Sequence, residues 1–151
     1  QRLLRRPVPS AGGLYPLELY VLARNVNDLA TGPYHYDCVA DDLAFIAARS
    51  WEGEAKKALY SWSHVNCVPA IIGIGAAFDK TQVKYGPRGY RYILLKAGHV
   101  GQNICLAVGE LGMSSLCLGG YRDSVLNRLL KLDGSKVAVV YTVAVGESAD
   151  G

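Results

Sequence analysis

The segment 90–111 constrains the fold most strongly, because its apolar residues recur at alternating steps of four and three, as on one face of an α-helix. This stripe contains Ile93, Ala97, Val100, Ile104, Ala107 and Leu111. A second stripe contains Leu94, Gly98, Gly101, Cys105 and Val108. A helix that is apolar on two faces needs neighbours on both. We therefore predict a central buried helix over about 90–111.

The small residues of the second stripe indicate how the helix packs. Each glycine costs a helix about 1 kcal/mol relative to alanine, but the missing side chain lets another backbone come close. That neighbour is either part of the same chain or a second subunit, and the sequence leaves both open. His99 lies within the same segment. We interpret it as a buried structural residue that hydrogen-bonds a neighbour.

The remaining elements follow one another without regular βαβ alternation. Strand patterns lie at 17–24, 34–37, 67–78, 114–121 and 136–146, and helix patterns lie at about 52–62 and 122–132. The polar stretch DKTQVKYGPRG at 79–89 is rich in turn formers and predicts an exposed or site-lining loop. This order predicts an α+β fold in which helices pack on a sheet, as a single domain over 1–151.

Composition narrows the classes of function. The formal net charge of +3 is too small an excess to indicate nucleic-acid binding. The four cysteines show no C-x-x-C spacing and lie in or beside apolar segments, which favours small hydrophobic residues in a reducing, cytoplasmic compartment. No segment reaches the roughly 20 apolar residues that span a bilayer. We therefore expect no membrane anchor and no signal peptide.

Two glycine pairs are candidate binding elements. The PSAGG segment comprises Pro9, Ser10, Ala11, Gly12 and Gly13, and the LGG segment comprises Leu118, Gly119 and Gly120. Taken singly, each pair is most simply a turn, although glycine also permits a ligand to approach the main chain. Neither segment matches the dinucleotide or P-loop patterns, and Ser10 lacks the G-x-S-x-G context of a serine hydrolase.

Lys84 and Tyr85 form the third candidate. They are either ordinary loop residues or a catalytic pair, because an ammonium group close to a phenol lowers the pKa of the phenol and makes it a better base. Both side chains can serve one site only if the backbone turns there, and the adjacent Gly86 and Pro87 favour a turn. No cluster of His, Cys or Asp at metal-ligand spacing predicts a metal site.

Three motifs in fixed order resemble the nitroreductase superfamily, and most closely its SagB-type branch. They are PSAGGLYPLELYV at 9–21, KYGPRGYRYILLKAGHVGQN at 84–103 and LGMSSLCLGGYRDSVLNRLL at 111–130. Members of that branch are FMN-dependent dehydrogenases that oxidise azolines to azoles in ribosomal peptides. The resemblance covers nearly the whole chain and implies a mostly antiparallel sheet of four to five strands flanked by helices.

The resemblance also implies a cofactor, a site and partners. FMN would lie against the PSAGG and LGG segments at the interface of a homodimer. Lys84 or Tyr85 would remove the proton from the azoline α-carbon while hydride passes to the flavin. The substrate would be a peptide or a small molecule, with a cyclodehydratase complex as a further partner. The superfamily's basic N-terminal element is not seen whole here, so we expect the N-terminal part of the domain to be lacking.

Two alternatives remain open at this stage. One is an NAD(P)H-dependent nitro- or quinone reductase of the same fold, which would use many acceptors. The other is a non-catalytic partner, with or without flavin, that supports a biosynthetic complex.

Overall fold

Six strands form one antiparallel sheet in the computed structural model, which describes residues 7–48 and 50–147. The strands are β1 (Leu17–Ala23), β2 (Gly32–Asp37), β3 (Asp42–Phe45), β4 (Ala70–Ala77), β5 (Ser114–Leu118) and β6 (Val137–Gly146). Their order across the sheet is β3-β2-β1-β4-β6-β5. The helices are α1 (Glu52–Ala58), α2 (Trp62–Val65), α3 (Asp79–Tyr85), α4 (Arg88–Glu110) and α5 (Asp123–Leu129).

The predicted α+β class and antiparallel sheet are confirmed, with six strands in place of four to five. The strand that the sequence did not reveal is β3. It lies at the edge of the sheet, and three of its four residues are exposed. Such a strand lacks the alternation of apolar and polar residues that comes from one buried face.

The core is divided between the two faces of the sheet. Trp51, Leu126 and Ile71 are fully buried in a cluster that packs α1 and α5 against one face. On the other face, Ile93 of α4 packs with Ile74 of β4. Because neighbouring strand residues point to opposite faces, β4 contributes to both clusters and forms the centre of the fold.

The long helix α4 is buried on one face only within the chain. Ile93, Ala97 and Gly101 are buried, whereas Leu95 and Leu106 are 58% and 63% exposed. A Cβ atom at Gly101 would lie 2.9 Å from Cε1 of Tyr141, so this glycine allows the close approach of α4 to β6. The predicted central helix is present, but each predicted stripe is buried only in part, since Leu94 and Ala107 are exposed. The same chain supplies the close neighbour at Gly101.

Two local predictions were wrong. Residues 79–85 form α3 rather than a loop, because only Thr81 of this helix is buried and a helix with so narrow an apolar face leaves no periodic pattern. The helix predicted over about 52–62 ends at Ala58, and Leu59 is extended and pairs with Tyr121. That bridge is a contact distant in sequence, which a local pattern does not record.

Within the described residues, no helix is both long enough and apolar enough to cross a membrane.

Candidate functional site

The PSAGG segment forms a tight, locally braced loop ahead of β1. Its last three residues make a short 3₁₀ turn, in which Gly12 and Gly13 have φ of 61° and 66°. The amide of Gly13 donates a hydrogen bond to the Ser10 carbonyl (3.0 Å), and the amide of Tyr15 donates to Ser10 Oγ (2.9 Å). These φ values lie in the left-handed region that favours glycine, which explains the glycine pair.

The structure brings Lys84 and Tyr85 to this loop. A Cβ atom built on Gly12 would lie 2.8 Å from the Tyr85 hydroxyl and 2.9 Å from Lys84 Nζ. Both residues belong to the last turn of α3, and the chain changes direction directly after them, at Gly86 with φ of 55°. The polar ends of the two candidate catalytic side chains thus meet at one point of the PSAGG segment, although the residues lie on a helix rather than in the predicted loop.

Aromatic and cationic contacts hold this pair in place. The ring of Tyr85 packs edge-on against the ring of Tyr92 on α4, with a centroid separation of 5.1 Å. Lys84 Nζ lies 5.5 Å from the centroid of the Tyr85 ring. An ammonium group near an aromatic face is attracted by the ring quadrupole, so the two side chains favour a common arrangement.

A cavity of about 290 Å³ adjoins the loop. Its lining comprises Pro9, Ser10 and Ala11 from the PSAGG segment and Tyr92, Leu95, Lys96 and His99 from α4. The sequence interpretation of His99 as a buried structural residue was wrong, because this side chain is exposed. It lies one helical turn after the exposed Leu95, on the face of α4 that the chain itself does not cover.

Lys96 and Tyr15 belong to the site, although the sequence analysis did not select them. Lys96 is buried, and its Nζ lies 4.5 Å from the centroid of the Tyr15 ring. Tyr15 has φ of 44°, an unusual value for a residue with a side chain. The buried ammonium thus packs on the residue that ends the loop. A lysine at an interior position of an apolar helix is a sequence signal by which Lys96 could have been identified.

The LGG segment lies elsewhere in the sheet. Leu118 is the last residue of β5 and pairs with Thr142 of β6, whose other neighbour is Gly73 of β4, opposite Tyr20 of β1. Leu118 is therefore three strand spacings, or about 14 Å, from the strand that follows the PSAGG segment. Within one chain the structure does not bring the two glycine segments together.

Three tyrosines lie next to the LGG segment. A Cβ atom at Gly120 would lie 3.3 Å from Tyr60, and one at Gly119 would lie 3.8 Å from Tyr141. The hydroxyl of Tyr121 donates to the Val139 carbonyl (3.2 Å), and burial raises the pKa of Tyr121 above the ordinary range. This tyrosine therefore remains protonated and anchors the residue that follows the segment.

The PSAGG segment has the features that a planar cofactor requires. Gly12 and Gly13 are exposed, and a Cβ atom at Gly13 would meet no atom of the described residues within 4 Å. Main chain without side chains on its open side allows a flat ring system to lie against it. The segment therefore fits a ligand such as a flavin ring. The described residues contain no cluster of three or more metal-ligating side chains.

The order of these elements along the chain agrees with a known family. The model of the Nitroreductase family matches residues 3–147. This chain belongs to the nitroreductase family. The family resemblance predicted from the three motifs is thereby confirmed.

Relatives within the nitroreductase family include proteins from an archaeon and a bacterium. The chain is 32% identical over 127 residues to protein MJ1384 of Methanocaldococcus jannaschii, an alignment that covers 84% of this chain and 64% of that protein. It is also 32% identical to the microcin B17-processing protein McbC of Escherichia coli over an alignment 158 positions long. This alignment covers 97% of this chain and 56% of McbC. The chain thus spans less than two thirds of the length of either relative.

Solved structures contain the same nitroreductase fold. The E. coli microcin synthetase McbBCD complex with truncated pro-MccB17 bound includes a chain that is similar to this one, with a TM-score of 0.82 and 25% sequence identity. That match covers 97% of this chain and 57% of the other. The fold described above is therefore shared over essentially its whole length.

Proposed function

We propose that this chain is part of an FMN-dependent oxidoreductase that oxidises azoline rings of a ribosomal peptide to azoles. The observation that carries the proposal is the convergence of Lys84 Nζ and the Tyr85 hydroxyl on Gly12. A proton acceptor is thereby held beside exposed glycine main chain that fits a flavin ring. Similarity to a microcin-processing protein supports a peptide as the substrate.

The main chain of the PSAGG and LGG segments would hold the FMN. When bound, FMN supplies the two-electron acceptor that takes hydride from the β-carbon of the azoline. Molecular oxygen would be the final electron acceptor. The exposed face of Gly13 would lie flat against the ring system, and the bracing of the loop by Ser10 would fix its position.

The chain's own part in the reaction is to take the α-carbon proton. Either the Tyr85 hydroxyl, as phenolate, or a neutral Lys84 amine would accept it, and both groups lie beside the same point of the loop. Positioning of the base and the reacting carbon within one rigid arrangement supplies much of the rate. The edge-on packing of Tyr85 on Tyr92 supports such an arrangement.

The separation of the two glycine segments supports a homodimer with FMN at the interface. In one chain, Leu118 lies about 14 Å across the sheet from β1, the strand that follows the PSAGG segment. A single ring system would therefore contact both segments more readily if each came from a different copy. The outer face of α4 carries exposed apolar residues, including Leu95 and Leu106. Burial of such a face against a second copy is favourable.

A larger biosynthetic assembly is the second proposed partner. The similar chain of known structure is part of a synthetase complex with a precursor peptide bound. By this similarity, the enzyme would act with a cyclodehydratase that forms the azolines it oxidises.

Replacement of Tyr85 by Phe tests the proposal. We expect Tyr85→Phe to abolish oxidation of an azoline peptide, measured as the loss of two hydrogens per ring by mass spectrometry, while bound FMN stays at the wild-type level. Tyr34→Phe is the matched control, because it also removes one tyrosine hydroxyl. Tyr34 lies on β2, and its hydroxyl donates to the Ala30 carbonyl rather than into the candidate site. Lys84→Met tests the other candidate base in the same assay.

Three results would contradict the proposal. If the Tyr85→Phe, Lys84→Met double variant oxidises peptide at the wild-type rate, neither residue is the base. If NADPH bleaches the flavin rapidly and peptide is not oxidised, the protein is a general reductase of the same fold. A full-length protein that stays colourless with added FMN is a non-catalytic partner.

A further inference from the structure

Two cysteines that are distant in sequence meet at the junction of α4 and β5. The Sγ atoms of Cys105 and Cys117 are 3.4 Å apart, and both side chains are half-buried. All four cysteines are free thiols, and the other two, Cys38 and Cys67, are exposed. We interpreted all four cysteines as small hydrophobic residues. The burial of Cys105 and Cys117 agrees with that interpretation, whereas the exposure of the other two does not. The direct contact of the two half-buried sulfur atoms is an additional feature that the sequence did not predict.

The surroundings of this pair combine a packed side and an open side. Cys105 and Cys117 pack against Val108 and Val143, and burial raises the pKa of the Cys117 thiol. A cavity of about 210 Å³ reaches Cys117 and Tyr141 between α4 and β6. Packing fixes the two sulfur atoms relative to each other, and the cavity leaves one of them accessible to small molecules.

We propose that Cys105 and Cys117 are a reversible dithiol–disulfide pair that hydrogen peroxide oxidises. One thiolate attacks peroxide, the O–O bond breaks, and a sulfenic acid and one water form. The second thiol then displaces the sulfenic hydroxyl as a second water, which closes the S–S bond. In total, two thiols lose two electrons and two protons, and one peroxide becomes two waters. Two equivalents of a small-molecule thiol reduce the disulfide again by exchange and leave as a small-molecule disulfide.

The disulfide would join α4 to the edge strand directly before the LGG segment. Cys117 is adjacent to Leu118, and among the described residues its strand is hydrogen-bonded to the rest of the sheet only through β6. A covalent link from Cys117 to α4 therefore restrains the end of β5 on its free side. The pair itself is independent of the proposed reaction, because it needs neither FMN nor peptide.

Peptide mapping tests this inference directly. Full-length protein is first reduced, then treated with a small excess of hydrogen peroxide, alkylated, and digested with trypsin together with a protease that cleaves after Glu. No Lys or Arg lies between residues 97 and 121, so trypsin alone leaves both cysteines in one peptide, and cleavage at Glu110 separates them. We expect peptides 97–110 and 111–122 to be joined, two hydrogens lighter than their sum, and to separate on reduction.

Variants distinguish the pair from general thiol oxidation. Cys117→Ser should abolish the linked peptides, whereas Cys67→Ser should leave them at the wild-type level. The unaltered chain provides a test that does not depend on the folding of any variant. If Cys105 and Cys117 remain fully alkylatable while Cys38 and Cys67 are oxidised, or if the links join Cys38 or Cys67 instead, the inference is wrong.

Discussion

At the scale of single residues, Gly12 and Gly13 serve different purposes although they share a conformation. Both have φ near +60°, which an L side chain adopts only at a cost of about 1–2 kcal/mol. Only Gly12 has neighbours where a Cβ would be, namely the polar ends of Lys84 and Tyr85. In the described part of the chain, Gly13 therefore makes room for no other residue and leaves its open side to the proposed flavin ring, whereas Gly12 makes room for the candidate base.

Alanine at each position separates these two effects. We expect Gly12→Ala and Gly13→Ala to lower the free energy of unfolding by a similar amount, about 1–2 kcal/mol, because the backbone cost is the same. The flexible ends of Lys84 and Tyr85 move aside in Gly12→Ala, which displaces the base. We expect peptide oxidation per bound FMN to fall further in Gly12→Ala, by up to about 100-fold relative to Gly13→Ala.

Urea denaturation and turnover normalised to flavin content provide the two measurements. Equal activity per flavin in the two variants would show that the contact at Gly12 has no part in the chemistry.

At the scale of elements, one carboxylate joins two strands and a helix beside the site. Glu18 of β1 accepts hydrogen bonds from Lys80 of α3 (2.8 Å) and from His35 of β2 (3.0 Å). Since α3 also carries Lys84 and Tyr85, this link helps to fix the helix that presents the candidate base. Burial raises the pKa of Glu18, but the hydrogen bonds from Lys80 and His35 outweigh it, so the pKa lies below its ordinary value of 4.5.

The lowered pKa of Glu18 predicts how the stability of this link depends on pH. A carboxyl whose pKa falls on folding contributes stability that is present above its unfolded-state pKa and is lost as the pH falls through the folded-state pKa. We expect Glu18→Gln to lose about 1 kcal/mol of unfolding free energy at neutral pH. The difference from wild type should disappear as the pH falls below 4.5.

Urea titrations at a series of pH values measure this difference. Glu110→Gln is the control, because Glu110 is exposed at the end of α4 and has no ion pair in the described part of the chain. Its effect should stay within about 0.5 kcal/mol. A Glu18→Gln penalty that persists unchanged in acid would mean that shape rather than charge is responsible.

At the scale of the whole molecule, the exposed face of α4 and the separated glycine segments point to the same arrangement. Beside the two predicted stripes, α4 carries further apolar residues that the described part of the chain leaves open, at Leu95 and Leu106 among others. A second copy would cover this face and would also bring the LGG segment of one chain towards the PSAGG segment of the other. Flavin binding and dimer formation should therefore depend on each other.

A charge on the exposed face of α4 tests this dependence. We expect Leu106→Lys to convert a dimer into a monomer in sedimentation experiments, because an ammonium group is costly to bury in an apolar interface. Bound FMN should fall with it. Val39→Lys is the control, since Val39 is 88% exposed in the turn between β2 and β3. This turn lies at the β3 edge of the sheet, and β5 forms the other edge. A Leu106→Lys protein that remains dimeric and yellow would exclude this face as the interface.

Regular side-chain patterns alone were enough to predict most of the helices and strands. The apolar runs of β1, β4 and β6 and the stripes of α4 are local features, and they sufficed for the fold class. The family followed from the resemblance of the three sequence motifs. Edge strand β3 and helix α3 escaped detection because few of their residues are buried, so their composition resembles that of a loop.

Which of the selected residues meet depends on the tertiary fold. The fold places Lys84 and Tyr85 at Gly12, keeps the LGG segment three strand spacings from β1, and sets Cys105 against Cys117. The physical reason is that the periodicity of apolar residues in a sequence shows which side chains of one helix or strand face the core. Distances between segments depend instead on strand order and on the packing of helices across the sheet, which no single segment encodes.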